Sequence, residues 1–348
     1  MFWKGMAMAY LEAESLVFNA LHKTPVFSER ICAGKNSRVY RVDCDSKESY
    51  AVKFYMQPTA DGRNRLDQEW AAVSFMVQTG IRRVPKPIAI VCSSQAAVYS
   101  FLRGTPVGER NGEEIGDVLD FVRQLKLNSL GDRAVNILPA TEACFSLNDI
   151  ISSLEGRLDR LSELPRSDDL FVEMHEFLQI EYAEAFSDSV QSVKVNYPVS
   201  SWSTSLPIEL RTLSPSDLGF HNSVRDEYGH LLFLDFEYFG WDDPVKMAAD
   251  FLLHPAMNLQ NSEVLSFYDG MLQIFSDDEC FETRFKTFLP FYRLKWCLIL
   301  LNEFFSEGLK RRRFASGSGA ADNDLRQVQL EKAKMFLNKD KDICKIIF

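Results

Sequence analysis

Two stretches decide how the chain is interpreted: residues 213–222 read LSPSDLGFHN, and residues 232–238 read LFLDFEY. Asp217 and Asn222 lie among turn-forming residues in the first stretch, and Asp235 ends a short apolar run in the second. The DEYG sequence between them predicts a hairpin turn that would bring Asn222 close to Asp235. Oxygen ligands on adjacent strands can share Mg²⁺, although either stretch alone is also compatible with an ordinary polar turn.

The Asp-x4-Asn spacing of Asp217 and Asn222 is that of a kinase catalytic loop. In such a loop the aspartate accepts or orients the proton of an acceptor hydroxyl, and the asparagine amide oxygen binds a metal ion. Asp235 follows in the order that this chemistry requires. The order of the motifs is therefore more informative than any one of them.

Lys53 and Glu69 extend the pattern toward the amino terminus. Lys53 lies in an apolar strand, and Glu69 lies beside the apolar stripe of the following helix. An ammonium group buried without a partner is costly, so we expect Lys53 to pair with Glu69 and to contact nucleotide phosphates. Taken singly, each is also compatible with a surface lysine and a solvated helix glutamate.

A turn from Gly34 to Ser37 (GKNS) precedes the first clear strand. A turn with a glycine and a small hydroxyl residue can bring backbone N–H groups close to phosphate oxygens. Taken alone, the tetrapeptide is more typical of an ordinary hairpin turn.

The composition changes near Gly104, which divides the chain into two predicted lobes. Before it, one main helix interrupts short runs rich in β-branched and aromatic residues, at 37–44, 50–56, 88–92 and 97–102. After it, helical periodicity dominates at 114–125, 147–164, 168–193, 264–275 and 281–305, with a kink or break expected at Pro290. The sequence thus predicts a small β-rich amino lobe at 1–102 and a larger, mostly helical carboxyl lobe at 103–348.

In this order and context the motifs resemble the aminoglycoside phosphotransferase and choline kinase-like family, a branch of the protein kinase-like fold. The resemblance runs from about residue 31 to about residue 255 and is strongest over 214–255. VPKPIAI at 84–90 and FLRGTPV at 101–107 are similar to the approach to the family's fourth strand and to its hinge. The resemblance implies a bilobal α+β protein kinase-like fold.

The resemblance also implies a role for each polar residue. It makes Asp217 the catalytic base, Asn222 and Asp235 the Mg²⁺ ligands, and Asp250 a brace for the catalytic loop. The implied cofactors are ATP or GTP together with Mg²⁺. The residues expected to bind the nucleotide belong to the turn, the ion pair and the cleft beside the hinge: Gly34, Ser37, Lys53, Glu69, Tyr99 and Phe101.

The loop differs from the family pattern at several positions. Pro215 stands where the family usually has a histidine, two residues before the aspartate. His221 directly precedes the asparagine, whereas Gly219 occupies the position of the family's commoner loop histidine. Glu237 replaces the glycine of the protein-kinase Asp-Phe-Gly motif. None of these differences removes a predicted phosphate or metal contact.

A regulated protein kinase is disfavoured by the segment after Asp235. The chain reaches Asp243-Pro244 within a few residues, which leaves no long activation loop. No arginine directly precedes Asp217 to bind a loop phosphate. A small-molecule kinase fits this segment better.

The overall composition excludes several other classes. A formal net charge of −10 argues against a general nucleic-acid binder. Seven scattered cysteines without a CxxC pair are typical of a reduced, intracellular protein rather than a disulfide or zinc framework. No apolar run is long enough for a membrane span, so we expect a cytoplasmic protein that binds neither nucleic acid nor membranes.

The predicted function is transfer of the γ-phosphoryl group of ATP to a hydroxyl of a sugar, an amino alcohol or a related metabolite. A catalytically inactive nucleotide-binding pseudokinase and an antibiotic phosphotransferase are the alternatives. Residues that select the acceptor are expected in the helices at 147–193 and 264–305, and a sugar or other metabolite ranks first. We expect His254 to be a satisfied core or capping residue.

Overall fold

The computed structural model describes residues 2–31, 37–56, 64–310, 322–339 and 341–348. The predicted phosphate-turn residue Gly34 lies outside these ranges. The described residues form two compact units. Residues up to Val107, Asn222–Tyr238 and Lys310 form the first, and Gly108–His221, Phe239–Leu309 and the residues from 322 onward form the second.

The first unit is built on a five-stranded antiparallel sheet. Its strands lie in the order β1-β2-β3-β5-β4. Their bounds are β1 Pro25–Ile31, β2 Ser37–Cys44, β3 Ser49–Tyr55, β4 Pro87–Val91 and β5 Ala96–Ser100. Buried residues alternate along β2 because one of its faces packs into the core.

Two helices accompany this sheet. The main predicted helix is α2 (Arg65–Gln78), which begins where the side chain of Asn64 accepts a hydrogen bond from the Leu66 N–H. The buried face of α2 includes Glu69. An additional amino-terminal helix, α1 (Phe2–Leu21), buries Ala13, Leu16 and Val17 in the core that the sheet forms. The sequence pattern did not predict α1.

The segment 222–238 adds a three-stranded sheet to the first unit. Strand β8 (Ser223–Arg225) pairs with β6 (Thr105–Pro106) on one side and with β9 (Leu231–Phe233) on the other. The predicted DEYG turn joins β8 to β9, and its Gly229 has φ 90°. Ser223 pairs with Phe233, so residues 222 and 234 lie side by side just beyond the paired strands.

The second unit is mostly helical. Strand β7 (Thr212–Ser214) pairs with β10 (Gly240–Asp242) in a short two-stranded sheet. The helices are α3 Glu113–Ser129, α4 Leu147–Ser162, α5 Asp169–Phe177, α6 Ala183–Asn196, α7 Pro244–Leu253, α8 Asn261–Ile274, α9 Phe281–Leu300, α10 Asp322–Lys339 and α11 Lys341–Ile347. A π-helical turn at Leu178–Tyr182 joins α5 to α6.

Helix α9 forms the centre of the second unit and packs against α4, α6, α7 and α10. It continues through Pro290 rather than ending there, and a 3₁₀ turn at Leu301–Phe304 follows it. Its aromatic residues Phe285 and Tyr292 are fully buried and belong to the core. None of the helices in the described part of the chain is long and apolar enough to span a membrane.

Candidate active site

The first unit holds a buried ion-pair cluster around Lys53. The Lys53 Nζ lies 2.6 Å from Glu69 Oε2 and 2.5 Å from Asp235 Oδ1. Glu69 is itself held by the Tyr55 hydroxyl at 2.8 Å and the Phe236 N–H at 3.2 Å. Strand β3, helix α2 and the segment after β9 thus each contribute a side chain to one cluster.

Opposing effects act on the pKa of Lys53. Burial lowers this pKa, but the neighbouring carboxylates of Asp235, Glu69 and Glu237 raise it and prevail, so the ammonium stays charged. For Glu69, burial raises the carboxyl pKa and Lys53 offsets this only in part. The lysine is therefore a fixed positive charge, which is what binding a phosphate requires.

Glu237 is a further member of this cluster, and the sequence analysis considered it only as a missing glycine. Its carboxylate oxygens lie 3.8 Å from Lys53 Nζ and 3.9 Å from Arg65 Nε. Burial, with the charge of Asp235 next, raises the pKa of Glu237 to about 7. The presence of a second carboxylate two residues after Asp235 is the sequence signal from which this membership could have been predicted, but the sequence analysis did not use it.

The donor set of the cluster fits a magnesium ion. Carboxylate oxygens of Glu69, Asp235 and Glu237 lie within 4.8 Å of one another, and Mg²⁺ prefers oxygen ligands. Of the three side chains, Asp235 is 25% exposed, whereas Glu69 is 4% and Glu237 is 1% exposed. Asp235 is thus the most accessible of the three carboxylates.

The backbone around Asp235 is specialised. Asp235 has φ 63°, a left-handed conformation that costs a non-glycine residue roughly 1–3 kcal/mol and persists only where the surroundings enforce it. The Leu234 N–H donates to the Asn222 carbonyl at 2.9 Å, so the chain at residue 222 runs beside the strand that leads to Asp235. The structure therefore brings the backbones of the two predicted metal ligands close together.

The other described residues that were predicted to bind the nucleotide lie outside the Lys53 cluster. Ser37 is buried at the start of β2. The Tyr99 hydroxyl lies 3.0 Å from the Tyr55 hydroxyl, so Tyr99 supports the residue that holds Glu69. Phe101 packs against the Arg41 guanidinium, 5.1 Å from the ring centre.

The second unit carries Asp217 in a loop held by serines. Ser216 has φ 64°, and its N–H donates to the Ser214 hydroxyl at 2.9 Å. The Ser216 hydroxyl in turn donates to the Thr141 carbonyl at 3.3 Å. The serines on either side of Pro215 thus anchor the loop immediately before Asp217.

A buried charge network supports the same loop. Lys246 Nζ lies 2.8 Å from Asp242 and 2.9 Å from Asp250, and it donates to the Ser216 hydroxyl at 3.2 Å. The Trp296 indole N–H donates to Asp250 at 3.0 Å. Asp250 therefore acts on the loop through Lys246.

Asp217 faces two histidines within the second unit. Its Oδ1 lies 3.1 Å from His221 Nε2 and 3.7 Å from His254 Nε2. His254 occupies the C-cap position of α7, and its Nδ1 accepts the Ala256 N–H at 3.2 Å, in keeping with the expected capping role. The sequence analysis missed its proximity to Asp217, which depends on contacts between segments distant in sequence.

A cavity of about 330 Å³ opens beside the Thr141 end of this loop network. Glu142, next to Thr141, pairs with Arg157 and lies 3.1 Å from Lys295 Nζ. The residues that line the cavity carry both charges and hydroxyl groups: Glu142, Ala143, Cys144, Asp149, Ser152, Ser153, Gly156, Arg157 and Arg160. Five of them lie in the predicted acceptor-selecting helix α4 beyond its first turn, at positions 152, 153, 156, 157 and 160.

The first unit has an antiparallel sheet with a lysine–glutamate pair, and the second is mostly helical and carries the Asp217 loop. These are the features of a protein kinase-like α+β fold. The crystal structure of spectinomycin phosphotransferase with ADP and spectinomycin has this fold, with a TM-score of 0.58 and 13% identity over 94% of this chain and 98% of that one. Choline kinase LicA from Streptococcus pneumoniae gives a TM-score of 0.57 and 13% identity over 96% and 99%.

Plasmodium vivax ethanolamine kinase is similar as well, with a TM-score of 0.54 and 16% identity over 88% of this chain and 82% of that one. No protein-family model and no curated protein matches the sequence. The structural similarities confirm the predicted fold, which aminoglycoside phosphotransferases and choline and ethanolamine kinases share.

Proposed function

We propose that the protein is a small-molecule kinase that transfers the γ-phosphoryl group of ATP, or of GTP, to an acceptor hydroxyl. The observation that carries the proposal is the charged, buried Lys53 fixed between Glu69 and Asp235. An ammonium held beside an accessible carboxylate suits a nucleotide phosphate together with its metal ion. Crystal structures of the same fold that contain ADP, AMP or AMP-PNP support nucleotide binding.

Each group has a distinct task in this mechanism. Lys53 binds and orients phosphate oxygens, while Asp235 and Asn222 would hold Mg²⁺, with Glu237 supporting the same site. When bound, Mg²⁺ neutralises negative charge on the phosphates. Asp217 accepts the proton of the acceptor hydroxyl, and most of the rate acceleration comes from positioning and electrostatics.

The cavity beside Thr141 supports a neutral, hydroxyl-rich acceptor such as a sugar. A quaternary amine is best bound by aromatic faces, and none of the described residues that line this cavity is aromatic. A polycationic aminoglycoside needs many carboxylates, whereas Glu142 and Asp149 are offset there by Arg157 and Arg160. Serine hydroxyls at Ser152 and Ser153 suit hydrogen bonding to a sugar.

Two variants separate the proposed tasks. We expect Asp217→Ala to reduce turnover by at least about 10³-fold while Mg²⁺-ADP still stabilises the protein, because the base is lost but the phosphate site is intact. Asp235→Ala should in addition weaken that stabilisation. Turnover is measured with labelled ATP and thermal stabilisation by a dye-based melt. Unchanged turnover of Asp217→Ala with an identified acceptor would show that the mechanism is wrong.

The acceptor is tested with a panel of sugars, amino alcohols and aminoglycosides. We expect a sugar or other neutral metabolite to be phosphorylated, and Ser153→Ala to raise its KM more than the KM for ATP. Ser187→Ala, an exposed serine on α6, is the matched control. Phosphorylation of an aminoglycoside alone would favour the antibiotic phosphotransferase, and stabilisation by Mg²⁺-ATP without any transfer would favour the pseudokinase.

A further inference from the structure

The two histidines beside Asp217 form a stacked pair. Their ring centres are 3.9 Å apart and the ring planes differ by 7°. Both Nε2 atoms lie close to the same atom, Asp217 Oδ1, at 3.1 Å from His221 and 3.7 Å from His254. One carboxylate oxygen is thus approached by two imidazoles.

The surroundings of His254 determine which of its nitrogens carries the proton. Its Nδ1 accepts the Ala256 N–H at 3.2 Å, so Nδ1 presents a lone pair. A neutral imidazole has one donor and one acceptor nitrogen, and the proton of His254 therefore lies on Nε2, toward Asp217. The 3.7 Å separation exceeds a hydrogen-bond distance, and a shift of about 0.5 Å would bring the two atoms within it.

The rest of the second unit fixes the pair from both sides. The rings of Trp296 and His254 pack edge to face, with their centres 4.7 Å apart. The indole N–H of Trp296 donates a hydrogen bond to Asp250. On the loop side, a Cβ at Gly219 would lie 2.5 Å from Cε1 and Nδ1 of the His221 ring. The absence of a side chain at Gly219 is what allows the His221 ring to lie there.

We infer that His221 and His254 are positioning residues that hold the Asp217 carboxylate in one orientation through Nε2–H donors. The inference rests on the proposed function, in which Asp217 accepts the proton of the acceptor hydroxyl. A base must lie within about 2.6–3.2 Å of the proton-bearing atom, and misplacement by about 1 Å can cost about 100-fold in rate. The histidine pair restricts rotation of the carboxylate that would cause such a misplacement.

The kinetic test compares alanine and glutamine at position 254. We expect His254→Ala to lower kcat about 10- to 100-fold while the KM for ATP and the Kd for Mg²⁺-ADP change less than about two-fold. Glutamine can place an N–H near the position of Nε2, so His254→Gln should recover at least part of kcat. Gly219→Ala, which displaces the His221 ring, should lower kcat in the same way. Unchanged kcat in both His254→Ala and Gly219→Ala would overturn the inference.

A spectroscopic test does not require turnover. The chain has five histidines, so ¹⁵N-histidine labelling gives few ring signals to assign. We expect the Nε2–H tautomer at His254, and we expect Asp217→Asn to move the ring signals of His221 and His254. His175, whose Nε2 contacts the Leu164 carbonyl at 2.8 Å, is the internal reference and should not move.

The two tests separate failure of the inference from failure of the proposed function. If the wild-type protein phosphorylates no acceptor, including water, the proposed function fails, and movement of both ring signals still supports the pairing. If the enzyme is active but the ring signals of His221 and His254 do not respond to Asp217→Asn, the inference alone is overturned.

Discussion

At Lys53, one ammonium group faces three carboxylates, and this imbalance characterises the site. Arg65 lies 3.9 Å from Glu237, so the three carboxylates are in contact with one ammonium group and lie near one guanidinium group. Burial and the charge of Asp235 raise the pKa of Glu237 to about 7. Like charges held together in a buried site are costly unless a cation joins them, which is why the cluster suits a divalent metal ion.

Glu142 provides a test of the electrostatics of the second unit. Burial opposes ionisation, but Lys295 and Arg157 prevail and lower the pKa of this carboxyl to about 2. A group whose pKa is lowered by folding stabilises the folded state above its ordinary pKa of 4.5, and that contribution is lost as the pH falls toward about 2. Because the side chain is 38% exposed, screening reduces the contribution to about 1–2 kcal/mol.

We therefore expect Glu142→Gln to be less stable than the wild type by about 1–2 kcal/mol at pH 6 and close to it in stability near pH 2.5. The measurement is the free energy of unfolding in urea across that pH range. A difference between the two proteins that is constant with pH would show that the carboxylate charge contributes nothing there.

At the scale of elements, two helical glycines have opposite surroundings. A Cβ at Gly270 in α8 would lie 2.3 Å from Leu119 Cδ1 in α3, whereas a Cβ at Gly116 in α3 would meet no atom within 4 Å. The contact between α3 and α8 thus depends on the small residue at position 270. A Cβ atom at position 116 would extend into open space.

We expect Gly270→Ala to destabilise the protein by about 1 kcal/mol because the Leu119 side chain must leave its place in the contact between α3 and α8. Gly116→Ala should stabilise it by about 0.5–1 kcal/mol, since alanine is the better helix former. Urea denaturation of the two variants measures both effects. Equal effects of the same sign would contradict the packing argument.

The elements also show what could be predicted from sequence. Strand β2 was predicted with its observed bounds, and Glu69 was placed correctly on the buried face of α2, because alternation and helical periodicity are local signals. Strand β1 was missed because it lies at the edge of the sheet formed by the described residues and is exposed or half-buried throughout, which removes the alternation. His254 was interpreted as a satisfied core or capping residue, and its approach to Asp217 was missed because it depends on where α7 ends.

At the scale of the whole molecule, the first unit depends on a segment from the middle of the chain. Strand β8 pairs with β6, and a Cβ at Gly104 would lie 2.8 Å from the Arg225 carbonyl. The Phe233 N–H donates to the Arg83 carbonyl at 2.8 Å. A fragment that ends at Val107 would therefore lack part of the first unit, namely residues 222–238.

We expect a fragment of residues 1–107 to unfold in urea without a cooperative transition, because the buried Lys53 then lacks Asp235 and Glu237. Joining residues 222–238 to it through a flexible linker should restore a cooperative transition. Circular dichroism during urea titration makes the comparison, with a scrambled 222–238 segment as the control. A cooperative transition of the short fragment alone would contradict this dependence.

The course of the chain also limits how such a gene can be reshuffled. The boundaries of the inserted segment fall between His221 and Asn222 and between Tyr238 and Phe239. A recombination event that exchanged the codons for residues 1–107 as a single block of DNA would leave behind the codons for residues 222–238, which belong to the same unit. A junction at the first boundary would separate the codon for Asp217 from the codon for Asn222. We therefore expect the two units to be inherited together, with new acceptor preferences arising from substitutions inside α4 and its neighbours rather than from exchange of whole units.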